Sequence, residues 1–155
     1  MPDDPQDPGG SQDEVIRLVL RSDARSVRAA LRELLVTSPM RRLPEADRDT
    51  AEIVLAEVLN NIGEHAYALA GGEIEVTVRH DAEGLVCTVI DRGVRMPGAK
   101  LPAGDLHALP PTLADMPEGG FGWHLIRMLA RDLTYRRMPD HNELRFRLSP
   151  DQSSP

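Results

Sequence analysis

A chain of 155 residues with 41% hydrophobic content has enough apolar mass for one domain with a real core, and with 3% aromatics that core must be built from Leu, Val, Ile, Ala and Met. Eighteen Lys and Arg against 25 Asp and Glu give a net charge of −7, which argues against nonspecific nucleic-acid binding through a basic surface. The single lysine, Lys100, follows no Gly-rich loop with Lys-Ser or Lys-Thr, which excludes a P-loop NTPase, and the single cysteine, Cys87, excludes an internal disulfide.

Met1 to Gln12 is rich in Pro, Asp, Gly and Ser and reads as a disordered tail, as do residues 150–155. The N-terminal stretch lacks the basic and apolar regions of a signal peptide. No run approaches the ~20 apolar residues of a membrane span, so a soluble cytoplasmic protein is expected. Glu14 to Arg21 alternates weakly and reads as a strand. Ser22 and Asp23 then offer N-caps to a helix carrying Val27, Ala30, Leu31, Leu34 and Leu35, which Ser38-Pro39 stops. Pro44 to about Leu69 is the longest periodic run, with Val54, Leu55, Val58, Leu59 and Ile62 on its apolar face and Gly71-Gly72 at its end. Glu73 to His80 alternates strictly, Asp81 to Gly84 is a hairpin turn, and Leu85 to Ile90 reads as a central strand in which Cys87 is a buried, inert thiol.

Residues 92–119 hold five prolines and several glycines without apolar periodicity, and a long irregular segment inside a compact domain reads as a lid or binding loop. Helical spacing resumes from Trp123 to Ala130. Leu133 to Arg137 and Glu143 to Leu148 close the chain as a hairpin. This order predicts an α/β (α+β) two-layer sandwich: a mixed, mostly antiparallel sheet with helices on one face.

Three segments carry candidate chemistry. Glu57 and Asn61 lie four residues apart on the long helix and share a face, with Glu64 and His65 close by. An amide oxygen suits hard Mg²⁺ coordination without adding charge near phosphates, and a carboxylate one turn away suits proton abstraction from an attacking hydroxyl. Asn60 is either a second polar contact or ordinary surface. Asp91 ends the central strand, where a carboxylate accepts from an exocyclic amine, and Gly93 admits a base close to the backbone. Gly119-Gly120-Phe121-Gly122 precedes a helix, so backbone N–H groups and the positive end of a helix dipole cradle phosphate without a lysine. His124 and Asp132 read as packing or structural residues. Each segment alone is an ordinary helix face, turn or helix start; the weight lies in their order and spacing.

Together they resemble the N, G1 and G2 boxes of the GHKL (histidine-kinase-like) ATPases, whose fold is the Bergerat ATP-binding fold. The resemblance makes residues 13–149 one GHKL ATP-binding domain with 92–119 as its ATP lid. It implies Glu57 as general base, Asn61 as the Mg²⁺ ligand, and Asn61, Asp91, Gly93, Gly119, Gly120, Phe121 and Gly122 as the ATP contacts. The G1 pattern Asp-x-Gly-x-Gly departs here at Arg95, which stands where the second Gly would be and either covers the site or contacts phosphate. The run ending Glu64-His65-Ala66-Tyr67 and the Gly-x-Gly-x-x-Leu-Ile run look most like the anti-sigma-factor serine/threonine kinases. A sensor kinase would need a dimerisation helix pair for which residues upstream of 14 leave no room. The implied partners are a sigma factor and a STAS-type anti-anti-sigma protein, with a possible homodimer and with no direct nucleic acid or membrane. Two functions stay open: a kinase that phosphorylates a partner serine, favoured by Glu57 with Asn61, and a nucleotide-responsive sequestering protein with little turnover, favoured by Arg95.

Overall fold

The computed structural model describes residues 14–67, 70–101 and 120–148. Both tails and residues 102–119 of the segment read as a lid, Gly119 among them, lie outside the described residues.

The first strand, β1 (Val15–Arg21), leads into α1 (Ala24–Leu35). Asp23 caps α1 by accepting hydrogen bonds from the Ser26 amide and hydroxyl, both at 2.8 Å, which satisfies an N–H that the first turn leaves unpaired. Ser38-Pro39 does more than stop this helix: it opens a short second helix, α2 (Ser38–Arg41), because proline lacks only an N–H that the first turn does not use. The long helix α3 (Glu45–Asn61) starts after Pro44, with Glu45 and Asp47 at the positive end of its dipole. It ends earlier than the apolar period suggests. From Ile62 to Ala66 the helix widens into a π-turn, and Tyr67 closes it.

The remaining strands are β2 (Glu73–Asp81), β3 (Gly84–Asp91), β4 (Arg131–Arg137) and β5 (Asn142–Leu148), with α4 (Gly120–Leu129) between β3 and β4. The sheet order is β1-β2-β3-β5-β4. All four pairings are antiparallel, so the expected mixed, mostly antiparallel sheet has no parallel pair among the described residues. The β4–β5 hairpin returns the chain to the centre, placing β5 beside β3 and β4 at the edge.

One face of the sheet supplies Ile74, Val76, Val78, Leu85, Cys87, Val89, Leu144 and Phe146 to a core completed by Val27, Leu31 and Leu34 of α1, Val54, Leu55, Val58 and Leu59 of α3, and Trp123 and Ile126 of α4. Each fully buried aliphatic side chain contributes about 1.5–3 kcal/mol relative to exposure. Burial pushes the Cys87 thiol up to about 12, so it is an inert core residue. The opposite positions, among them Arg17, Glu75, Thr77, Arg79, Thr88 and Arg145, form the other face. No helix among the described residues is long and apolar enough to cross a membrane.

On that other face Arg147 of β5 donates from Nη1 and Nη2 to the two oxygens of Asp81 at 2.7 and 3.1 Å. The guanidinium holds the Asp81 carboxyl at about 2, below its ordinary 3.8. A depressed folded-state pKa contributes stability that is complete above the unfolded value and is lost as pH falls through the folded one. Asp81→Asn is therefore expected to lower stability at neutral pH by roughly 1 kcal/mol. In thermal melts the gap to wild type should close as pH falls from 3.8 to about 2; a gap that stays constant across that range would show that the ion pair is not its source.

Candidate nucleotide site

The site is assembled where α3, its π-turn, the end of β3 and the first turn of α4 meet. Glu57 and Asn61 fall on the side of α3 that faces α4. Glu57 is half-buried and Asn61 is buried at 3% exposure. Asn61 thus sits between two helices rather than on a solvated face. Its Nδ2 has no hydrogen-bond partner among the described residues, and a buried donor left unpaired calls for an unseen partner such as a ligand or water. Asn60, one residue earlier, is exposed and is surface. Glu64 and His65 are exposed within the π-turn.

Gly122 is the point of contact with α4. A Cβ built there would lie 2.5 Å from Glu57 Oε2, 3.3 Å from Asn61 Nδ2 and 3.5 Å from Asn61 Oδ1. The missing side chain is what lets the two polar groups of α3 stand against the start of α4. Gly120-Phe121-Gly122 is also not a loop ahead of the helix, as the sequence suggests: α4 begins at Gly120, so these residues are its first turn. Their N–H groups are the ones a helix leaves unbonded, and they gather beside Glu57 and Asn61.

Asp91 closes β3 with 5% exposure. Its Oδ1 accepts from the Gly93 amide at 2.9 Å and from Asn142 Nδ2 at 2.8 Å. All its hydrogen bonds among the described residues fall on Oδ1, which leaves Oδ2 able to accept from a further donor. Burial pushes the Asp91 carboxyl up, and the hydrogen bonds from Asn142 and Gly93 and the charges of Arg137 and His141 oppose that shift. The turn after Asp91 docks on the π-turn: Val94 donates its N–H to the Ala66 carbonyl at 3.0 Å. The widened turn leaves that carbonyl outside the helical ladder, a use of π geometry that recurs at functional sites. A Cβ on Gly93 would overlap the Ala66 carbonyl oxygen, so this glycine is required by close backbone approach and not by a left-handed φ. Tyr67 adds a second tie, donating to the Glu73 carbonyl at 2.8 Å and accepting from the Arg92 amide at 2.6 Å.

Arg95 does not disturb this arrangement. Its side chain is exposed, and Asp132 is the sole non-glycine of positive φ among the described residues. The predicted residues thus form two adjoining groups, Glu57–Asn61–Gly122 and Asp91–Gly93, joined by the π-turn. Gly119 and the side chain of Phe121 lie outside the described residues. Sequence reasoning missed Asn142, Tyr135 and Arg137, which grip the Asp91 turn from β4 and β5. The only sequence signal for Asn142 was a polar residue opening a strand, and Asp140-His141-Asn142 reads as plain turn chemistry.

The donor set fits Mg²⁺ with a nucleotide: a buried amide, a half-buried carboxylate, a row of first-turn amides and a space that a Cβ at Gly122 would fill. No cluster of three or more His, Cys, Asp or Glu placed to hold a metal occurs among the described residues. A sequence profile of the histidine kinase-like ATPase domain matches residues 20–148, from the penultimate residue of β1 to the end of β5, and spans all three site segments. No curated protein matches the chain.

Proposed function

The chain belongs to the histidine kinase-like ATPase family, and from that premise we propose that it is an anti-sigma factor with serine-protein kinase activity: it binds ATP with Mg²⁺, sequesters a sigma factor, and phosphorylates a serine of a STAS-type anti-anti-sigma partner. The observation that carries the nucleotide half is the contact of Gly122 with both Glu57 and Asn61, which sets a base and an amide ligand against helix-start amides suited to phosphate. The partner half is supported by the resemblance in the Glu64-His65-Ala66-Tyr67 and Gly-x-Gly-x-x-Leu-Ile runs.

In this reading Asp91 Oδ2 accepts the adenine amine, and Gly93 lets the base lie close to the backbone. The first-turn amides of α4 hold phosphate oxygens. Asn61 would hold Mg²⁺, which would neutralise phosphate charge. Glu57 takes the proton of the partner's serine hydroxyl as that oxygen bonds to the γ-phosphorus and the bond to the β–γ bridging oxygen breaks, leaving phosphoserine and ADP. The alternative, a sequestering protein with little turnover, rested on Arg95; an exposed side chain on unstrained backbone gives it less support than the sequence pattern did.

The test is calorimetry with ATP and Mg²⁺, followed by phosphotransfer to candidate serine-bearing partners. Wild type should bind, and Asp91→Asn should bind more weakly by roughly 1–3 kcal/mol, the worth of a hydrogen bond to a charged acceptor. Absence of ATP binding by the wild type would remove the nucleotide assignment altogether.

A further inference from the structure

The antiparallel register sets Asp91 of β3 directly opposite Asn142 of β5, and Asn142 directly opposite Arg137 of β4. Three polar residues therefore form one rung across three strands, at the edge of a sheet face that is otherwise mostly apolar. The next rung inward is Val89, Leu144 and Tyr135, and the Tyr135 phenol reaches outward to join the polar rung.

Asn142 is buried at 3% exposure, and its amide is oriented by partners on both sides. Oδ1 accepts from the Tyr135 hydroxyl at 2.5 Å and from Arg137 Nη1 at 3.2 Å. Nδ2 donates to Asp91 Oδ1 at 2.8 Å and lies within reach of the Gly93 and Val94 carbonyls at 3.3 and 3.2 Å. Flipping the amide would face its NH₂ toward the Arg137 guanidinium, which can only donate, and its oxygen toward three acceptors, so the surroundings permit one orientation. Arg137 also donates to the Gly93 carbonyl at 3.0 Å, and Met96 donates its N–H to the Tyr135 oxygen at 2.9 Å. The hairpin thus holds the turn at Gly93, Val94 and Met96, on both sides of Arg95.

We infer that Asn142, oriented by Tyr135 and Arg137, is the positioning residue for the purine-binding carboxylate: it ties up Asp91 Oδ1, directs Oδ2 at the ligand, and fixes the turn in which Arg95 replaces a glycine. The inference rests on reading Asp91 as the acceptor for a purine amine. It adds that a side-chain scaffold on β4 and β5 constrains this turn. The scaffold also keeps the carboxylate ionised. Burial raises the Asp91 pKa, and the Asn142 hydrogen bond is the largest influence opposing it. The other groups facing Asp91 are Arg137 on β4, His141 in the β4–β5 turn, and Tyr67 after α3 beside Arg92. A protonated Asp91 accepts less well, so ligand affinity should fall on the acid side, and fall earlier without Asn142.

The experiment is calorimetric titration with ADP over about pH 5 to 8, on full-length wild type, Asn142→Ala and Tyr135→Phe, with thermal melts of each. Asn142→Ala is expected to weaken ADP about tenfold at neutral pH and to move the acid limb of the affinity profile to higher pH. Tyr135→Phe should move both in the same direction with about a threefold loss. The titration of the ADP phosphate is common to all three proteins and cancels in the comparison. A folded Asn142→Ala protein whose melting temperature drops but whose acid limb stays in place makes Asn142 merely structural and overturns the inference. If Asn142→Ala does not fold, Tyr135→Phe decides, and an unmoved limb with unchanged affinity overturns it equally. A wild type that binds no ADP overturns the nucleotide reading and this inference with it. A wild type that binds, with variants that match it, overturns the inference alone.

Discussion

Replacing Glu57 by alanine is expected to cut phosphotransfer by about 10²–10⁴-fold, the range for loss of a general base, while ATP affinity stays near wild type. The separation follows from where the groups sit. Asn61 is the buried amide, and in the proposed reading the first turn of α4 supplies the phosphate-binding amides and Asp91 the adenine contact; none of these depends on Glu57. The carboxylate itself is half-buried and has no hydrogen bond or ion pair within the described residues, so its removal leaves no partner stranded and should cost little stability. Single-turnover assays with γ-labelled ATP and the partner protein, run beside calorimetry, separate the two quantities. Partner sequestration should survive the substitution, because the docking surface need not include the base. Suppose instead that wild type binds the partner and ATP but transfers no phosphoryl group. Then the sequestering reading holds and Glu57 is only a polar residue of the cleft.

Much of the candidate site was legible in the sequence because its parts are local. Glu57 and Asn61 are set by one helical turn, and Asp91 with Gly93 by two residues at a strand end. What escaped the reading is what local pattern does not encode. The π-turn at Ile62–Ala66 keeps the apolar period of a helix, yet its widened geometry decides that the Ala66 carbonyl meets Val94. Asn142 joins the site through a register across strands 51 residues apart, and a strand's alternation gives its faces but not its register against a distant strand. Arg95 shows the converse. It departs from the motif, but the backbone there needs no glycine, because Arg95 has no left-handed φ and its side chain is exposed, while Tyr135 and Asn142 hold the turn on either side of it. The crowding that makes Gly93 indispensable is likewise tertiary, a contact with the end of another element.

Gly122→Ala should separate folding from function with opposite signs. In a helix, alanine is favoured over glycine by about 1 kcal/mol, and Gly122 has no left-handed φ to forbid it. The new methyl would lie 2.5 Å from Glu57 Oε2 and 3.3 Å from Asn61 Nδ2. Both obstacles are side-chain atoms, and the nearer is the far end of a flexible glutamate, so the fold adjusts by moving Glu57 and not by shifting backbone. The melting temperature is therefore expected to stay level or rise slightly. Function should move the other way. A displaced Glu57 no longer faces the reacting hydroxyl, Asn61 loses room for the metal, and the methyl occupies space beside the first-turn amides. Misplacing a catalytic group by about 1 Å can cost 10²-fold, so phosphotransfer should fall by at least about that factor. Because Asn61 and the cradle are affected as well, Mg-ATP affinity should fall too, which distinguishes this variant from Glu57→Ala. Thermal melts, calorimetry and phosphotransfer on one protein preparation give all three readings. A large loss of stability would mean that α4 is fixed here by packing against α3 and that the glycine is structural. Full activity would mean that Glu57 and Asn61 do their work away from this helix start, and the assignment of a shared site would fail.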